Sequence, residues 1–271
     1  MKRWSVALGL GVPLLTACGG GGGNSGSDEQ SDVQEVTVAQ VEGIGDLAPG
    51  VYEVYTENVE TGVPAEGSRV DALVISDTGR TVRNLLNIDH PLRFGTAKFE
   101  SRTDFDWSEE LVSWRNLSIT DQPTQLPGSV SDANTFVFSG TSSPKPAFLA
   151  VRLGQHTEPA ITLEELSGSY TGGHHLRSDG RRATFTIDSN GVVTGADDKG
   201  CVFNGQVSNL ESNYRVFDID FEASNCQGDD IPASERNGRF TGVGILNAFD
   251  GRNDLIFYTR GESFAYTFTS A

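Results

Sequence analysis

The chain is poor in the residues that most site chemistry needs. Its 271 residues include three cysteines, four histidines and one methionine. Structural or catalytic zinc takes three or four converging ligands. Here only His174 and His175 adjoin, with His90 and His156 far off in sequence. Neighbours on a strand point to opposite faces, so the pair does not hold one metal with both rings. There is no Gly-x-Ser-x-Gly nucleophile elbow, and Gly140-Thr141-Ser142-Ser143 lacks the closing glycine. The glycine tract after Cys18 has neither the Lys-Ser/Thr end nor the preceding strand of a phosphate loop. Positive charge is scarce too, with 20 Lys and Arg against 37 Asp and Glu and a formal charge of −17. Nucleic-acid affinity depends on cations that neutralise phosphates, and a polybasic membrane grip needs them equally; neither partner is expected. No catalytic residue, metal or cofactor is called for, and the chain reads as a non-enzyme.

No apolar run reaches the ~20 residues of a membrane-spanning helix. The one that exists, Trp4 to Leu15 after Lys2-Arg3, has the charge, length and small-residue ending of a secretory signal. Leu15-Thr16-Ala17-Cys18 resembles the lipobox of bacterial lipoproteins. That resemblance implies cleavage before Cys18 and acyl chains on it, a membrane anchor of several chains where one alone holds weakly. Gly19 stands where an inner-membrane retention signal carries aspartate, which by the same resemblance points to the outer membrane. Without Lys2 and Arg3 the chain carries 18 basic and 37 acidic side chains, a formal charge of −19. Residues 19–45 are rich in Gly, Ser and acids, with no Lys, Arg or aromatic residue. Such a stretch buries too little to offset its ordering entropy. It reads as a tether of roughly 30 Å mean reach.

The remainder divides at Gly154-Gln155-His156-Thr157-Glu158-Pro159 into a first β-module, 46–154, and a second, 160–271. "GVYEVY" at 50 matches "GSYTGG" at 168, and "LVISDTG" at 73 matches "FTIDSNG" at 185. The spacing differs by six residues, which "TGVPAEG" accommodates, so one module is read as duplicated in tandem. Within the second module strands are expected at 168–175, 181–188, 191–197, 201–208, 214–223, 238–247, 253–260 and 263–270. Phe185 and Ile187 alternate with polar neighbours, as do Phe217, Ile219 and Phe221. Ser189-Asn190-Gly191, Asn237-Gly238 and Asp250-Gly251 supply tight turns. Eight short strands joined this way predict an all-β fold of two antiparallel barrels, with a β-sandwich as the alternative. Thr162-Leu163-Glu164-Glu165 fits a capping box for one helical turn. Residues 108–116 fit either a helix start or a strand.

Cys201 and Cys226 are the two thiols left after Cys18, and in an exported protein they read as one disulfide. Their phases conflict, since Cys226 alternates with Asp220 and Glu222 whereas Cys201 alternates with Phe203 and Val207. A β-bulge near Ala223–Asn225 is therefore expected. Asp188-Ser189-Asn190-Gly191 and Asp197-Asp198-Lys199-Gly200 carry spaced oxygens but not the spacing of a calcium loop, and read as turns. The best candidate ligand surface in the first module is the acidic stretch 104–114 with Trp107 and Trp114. In the second it is His174 and His175.

The stretch from Gly168 to Cys226, with Gly200, Cys201, Phe203, Gly205 and Cys226, resembles uncharacterised bacterial lipoproteins that carry a small calycin-like β-barrel. The resemblance covers about 165–270 and implies a fold but no settled activity. The expected role is an outer-membrane-anchored binding or interaction lipoprotein whose partner is a protein, glycan or small molecule. The alternative is an envelope-assembly accessory or enzyme inhibitor acting through the 225–238 loop.

Overall fold

A computed structural model describes residues 44–56, 69–83, 92–113, 118–119, 123–140, 147–153, 161–173, 181–208, 215–228, 231–249 and 252–270. The first eight strands are β1 (Gly50–Tyr55), β2 (Arg69–Ile75), β3 (Arg80–Arg83), β4 (Leu92–Phe99), β5 (Asp104–Val112), β6 (Thr124–Asp132), β7 (Thr135–Ser139) and β8 (Ala147–Arg152). A helical turn α1 (Leu163–Leu166) leads to β9 (Gly168–Gly173), β10 (Arg182–Ile187), β11 (Val192–Asp197), β12 (Val202–Ser208) and β13 (Val216–Ser224). A second turn α2 (Ala233–Arg236) precedes β14 (Gly238–Phe249), β15 (Arg252–Arg260) and β16 (Ala265–Ser270). Each set of eight closes into an antiparallel up-and-down barrel. Closure leaves no free sheet edge. The expected all-β tandem is what forms, and the ambiguous 108–116 stretch is strand through Val112. The capping box at α1 is also present, with Glu165 N donating to Thr162 Oγ1 at 3.2 Å and Thr162 N donating to Glu165 Oε2 at 2.9 Å.

The two barrels share one strand register. Tyr52 faces Leu73 as Tyr170 faces Phe185, and Thr81 faces Gly95 as Val193 faces Gly205. Gly95 faces Glu109 as Gly205 faces Phe221; Phe105 faces Gly128 as Phe217 faces Gly244. Phe138 faces Phe148 as Phe257 faces Phe268, and the two pairs stack with centroids 5.0 and 5.1 Å apart. Local details repeat as well. The hydroxyls of Tyr52 and Tyr170 each donate to the carbonyl four residues back. Gly79 and Gly191 both sit at φ 79°, a conformation that favours glycine, and close the same turn onto Ser76 O and Asp188 O, each at 2.9 Å. A Cβ on Gly128 or Gly244 would lie 2.2 Å from the ring of Phe105 or Phe217. In both barrels a glycine makes room for the aromatic ring across the ladder.

The first barrel's core holds Tyr52, Leu73, Ile75, Phe99, Phe105, Trp107, Phe136 and Phe138, with Ile44 and Leu47 packed among them. The second is filled by Phe185, Phe203, Phe221, Phe240, Phe257, Tyr266 and Phe268. Outward residues of the first barrel, namely Val74, Val82, Leu92, Phe94 and Val112, are buried with the second barrel's cluster rather than with their own. A seam therefore joins β2–β5 to the second barrel. Arg80 crosses it to Asp220 with bonds of 2.9 and 3.2 Å, Thr78 donates to Asp218 at 2.7 Å, and Arg260 meets Glu110 at 2.5 Å. Ile119 N donates to Ser263 O at 3.1 Å, strapping the β5–β6 connection to the last hairpin.

The disulfide Cys201–Cys226 is present, but the expected bulge is not. The β12–β13 ladder runs in register to Val202–Ser224, and Gln227 N still donates to Lys199 O at the same offset. No residue is inserted. Asn225 instead adopts a left-handed conformation, φ 58°, which rotates Cys226 from the wet face to the interior. Asparagine tolerates that region better than other L-residues. Cys226 N is then taken by Asn237 Oδ1 at 3.1 Å. Replacing both cysteines by serine is expected to lower unfolding free energy by about 3 kcal/mol for this loop in the chain-entropy model, read by urea titration of the oxidised and substituted chains.

Candidate functional site

In each barrel the tight turns such as 76–79 and 188–191 lie at one end, and β2, β10 and their neighbours run from the other. At that other end the two barrels diverge. The inward positions of the first barrel carry Asp71, Thr81, Arg83, Arg93 and Glu109. By the shared register their counterparts in the second are Ala183, Val193, Gly195, Phe203 and Phe221. At these register positions one scaffold thus carries charged or polar groups in one copy and apolar ones in the other.

Arg83 is the centre of the charged set. Its Nε and Nη2 donate to the two oxygens of Glu109 at 3.1 and 2.6 Å, and its Nη1 lies 3.7 Å from Asp71 Oδ2. Arg93 Nη1 donates to Glu109 Oε1 at 3.0 Å. Below the guanidinium are the rings of Trp107 and Phe138 at 5.5 Å and Phe148 at 5.9 Å, within the range where an aromatic face attracts a cation. Asp71, Arg83 and Glu109 are 7, 8 and 3 % exposed; Arg93 is the member whose side chain reaches solvent. Burial pushes the Asp71 carboxyl up to about 6, against the opposing pull of Arg83 and of the Ala72 N–H it accepts.

Deeper in, Trp107 Nε1 and Thr81 Oγ1 are buried without a hydrogen-bond partner. Both border Gly95, where a Cβ would sit 2.5 and 2.7 Å from them. Buried polar atoms are nearly always paired, so these two orphans beside the charged cluster are exceptions to the rule. Trp107 was expected on a ligand surface and is instead 1 % exposed. In β5 the alternate residues Phe105, Trp107 and Glu109 face inward, which makes Trp107 the floor of the cluster and not a surface platform. Of the acids near it, Glu109 turns in, while Asp104 and Asp106 face water and Glu110 serves the seam. Trp114, His174, His175 and Cys18 lie outside the described residues. Asp71, Arg83 and Arg93 carried no motif.

The second barrel closes the equivalent end differently. Arg236, on α2 in the 225–238 loop, reaches inward at 1 % exposure and donates to Asp197 Oδ2 at 2.5 Å and Gln227 O at 2.7 Å. Tyr266 Oη donates to the same carboxylate oxygen at 3.2 Å. Burial, then Asp197, pushes the Tyr266 hydroxyl well above its usual range. Asp197 Oδ1 accepts from Lys199 N and Cys201 N, each at 2.9 Å. Asp188 Oδ1 accepts from Asn190 N and Val192 N in the same way, each at 2.8 Å. These are turn-forming aspartates with their oxygens engaged. Among the described residues no three His, Cys, Asp or Glu side chains are placed to share a metal.

The Asp71 shift has a definite sign. Folding raises its pKa from 3.8 to about 6, so the folded state holds the proton longer. Its contribution to stability is full below pH 3.8, fades as pH rises to 6, and is absent above, a span of up to about 3 kcal/mol. Asp71→Asn is expected to flatten that part of the stability profile and to be the more stable chain at pH 7; thermal melts from pH 4 to 7.5 check it. No family model matches the chain, and no curated relative matches it.

Proposed function

We propose that this protein is an outer-membrane-anchored lipoprotein, held by acyl chains on Cys18, that binds a partner and performs no catalysis. The partner engages the first barrel at the end bearing Asp71, Arg83, Arg93 and Glu109. One observation carries this reading: the second barrel builds the same fold with apolar residues at these four positions. Buried ion pairs are weak contributors to stability, and a scaffold that folds with apolar residues at these positions keeps charge there for another reason. The lipobox and the tether after it support the anchored placement, with the acidic barrels held off the membrane.

A second reading draws on the 225–238 loop. It is pinned by the disulfide and by Arg236, and it borders a cleft of about 220 Å³ lined by Ser234, Glu235, Asn237, Arg239 and Glu262. A loop pinned at these points suits an accessory or inhibitor, since preorganisation lowers the cost of binding.

Two variants separate these. Asp71→Asn/Arg83→Leu/Glu109→Met replaces the whole buried charged set by uncharged groups, an exchange that is commonly neutral or stabilising. It is expected to keep the melting temperature while reducing envelope-partner capture, in crosslinking on intact cells, at least tenfold. Ser234→Ala/Asn237→Ala should leave capture unchanged. The reverse pattern would transfer the binding role to the loop.

A further inference from the structure

The seam joins unlike faces. The first barrel contributes Val74, Val82, Leu92, Phe94 and Val112 from β2–β5. On the second barrel the outward-facing but buried residues include the apolar Val216, Val243, Ile245 and Tyr258 from β13–β15. Because each barrel carries a counterpart of both faces, such a head-to-tail contact is not self-complementary. Repeated through a free counterpart it would build a chain or ring of molecules.

The free counterparts are altered at nearly every position. The shared register maps Val74, Val82, Leu92, Phe94 and Val112 onto Thr186, Thr194, Val202, Asn204 and Ser224. It maps Val216, Val243, Ile245 and Tyr258 onto Asp104, Pro127, Ser129 and Ser139. Thr186, Thr194, Asn204, Asp104, Pro127 and Ser129 are exposed. The crossing pair Arg80–Asp220 becomes Val192 and Ser108, so its charges vanish together. Eight of nine apolar seam residues are thus replaced by polar residues or proline on the faces that no barrel covers. Capping units of repeat proteins show the same polar outer faces, which stop propagation.

We infer that the seam is a directional barrel–barrel interface which this chain limits to one intramolecular copy, with the two outer faces, Thr186/Thr194/Asn204 and Asp104/Ser129/Ser139, acting as its stops. The interface fits another barrel of the same kind and its free copies reject one. Restoring the apolar residues on both outer faces turns the protein into a head-to-tail polymer.

Native mass spectrometry of the full chain released from detergent tests this. The natural chain is expected as single copies. Thr186→Val/Thr194→Val/Asn204→Phe alone, and Asp104→Val/Ser129→Ile/Ser139→Tyr alone, should also stay single. Mixed, the two variants should form one-to-one pairs at least tenfold above either alone. A ladder of copies from the natural chain overturns the inference without reference to any variant. Mixed variants that keep the natural melting temperature yet remain single overturn it as well.

Discussion

The structure depends on a packing constraint that each barrel meets in the same way: eight short strands must close around an interior wide enough for side chains and nothing more. Aromatic rings fill it, and glycines across the ladder let them in. Gly128 yields to Phe105 and Gly244 to Phe217 at the same register position. From that shared solution follow the stacked pairs Phe138–Phe148 and Phe257–Phe268. The equal register then allows each position of one barrel to be compared with its counterpart in the other.

That comparison separates what the fold requires from what it tolerates. Phe203 and Phe221 are core rings in the second barrel, and Arg93 and Glu109 replace them in the first. The exchange gives up two large apolar side chains and adds charges that must be paired to be buried at all. The first barrel meets that demand with the bidentate Arg83–Glu109 pair over three rings. The second places Arg236 over its aromatic core, delivered from outside the ladder by a loop under a disulfide. A guanidinium–carboxylate pair seals both barrels at this end, but only in the first is it built from the strands themselves.

The second module was largely legible in sequence because in β10 Phe185 and Ile187 alternate with solvent-facing neighbours, in β13 Phe217, Ile219 and Phe221 alternate with Asp218 and Asp220, polar residues that the seam takes up, and the turn at 188–191 carries Asn-Gly. The first module was less so, for two physical reasons. In β2, Leu73, Val74 and Ile75 are all buried, since one face looks into the barrel and the other into the seam, and alternation disappears. In β3 the apolar Val82 points outward into the seam while Thr81 and Arg83 point inward, which inverts the usual reading of an alternating strand. Trp107 was noticed as an aromatic beside acids, yet its inward phase needed the pairing with Leu126 and Ala97. The phase conflict of the cysteines was legible; its resolution by one left-handed Asn225, without an inserted residue, was not, because a single backbone torsion leaves no pattern in the chain.

The central claim is that the charged end of the first barrel is where this protein meets its partner. Hydrogen–deuterium exchange, comparing the protein in native membranes with the same protein purified in detergent, tests it most directly. The account predicts that loss of the partner raises exchange in the segments around Asp71, Thr81–Arg83, Arg93 and Trp107–Glu109, with the strands of the second barrel unchanged. Exchange that changes instead around residues 225–238, with the first barrel unaltered, would contradict it.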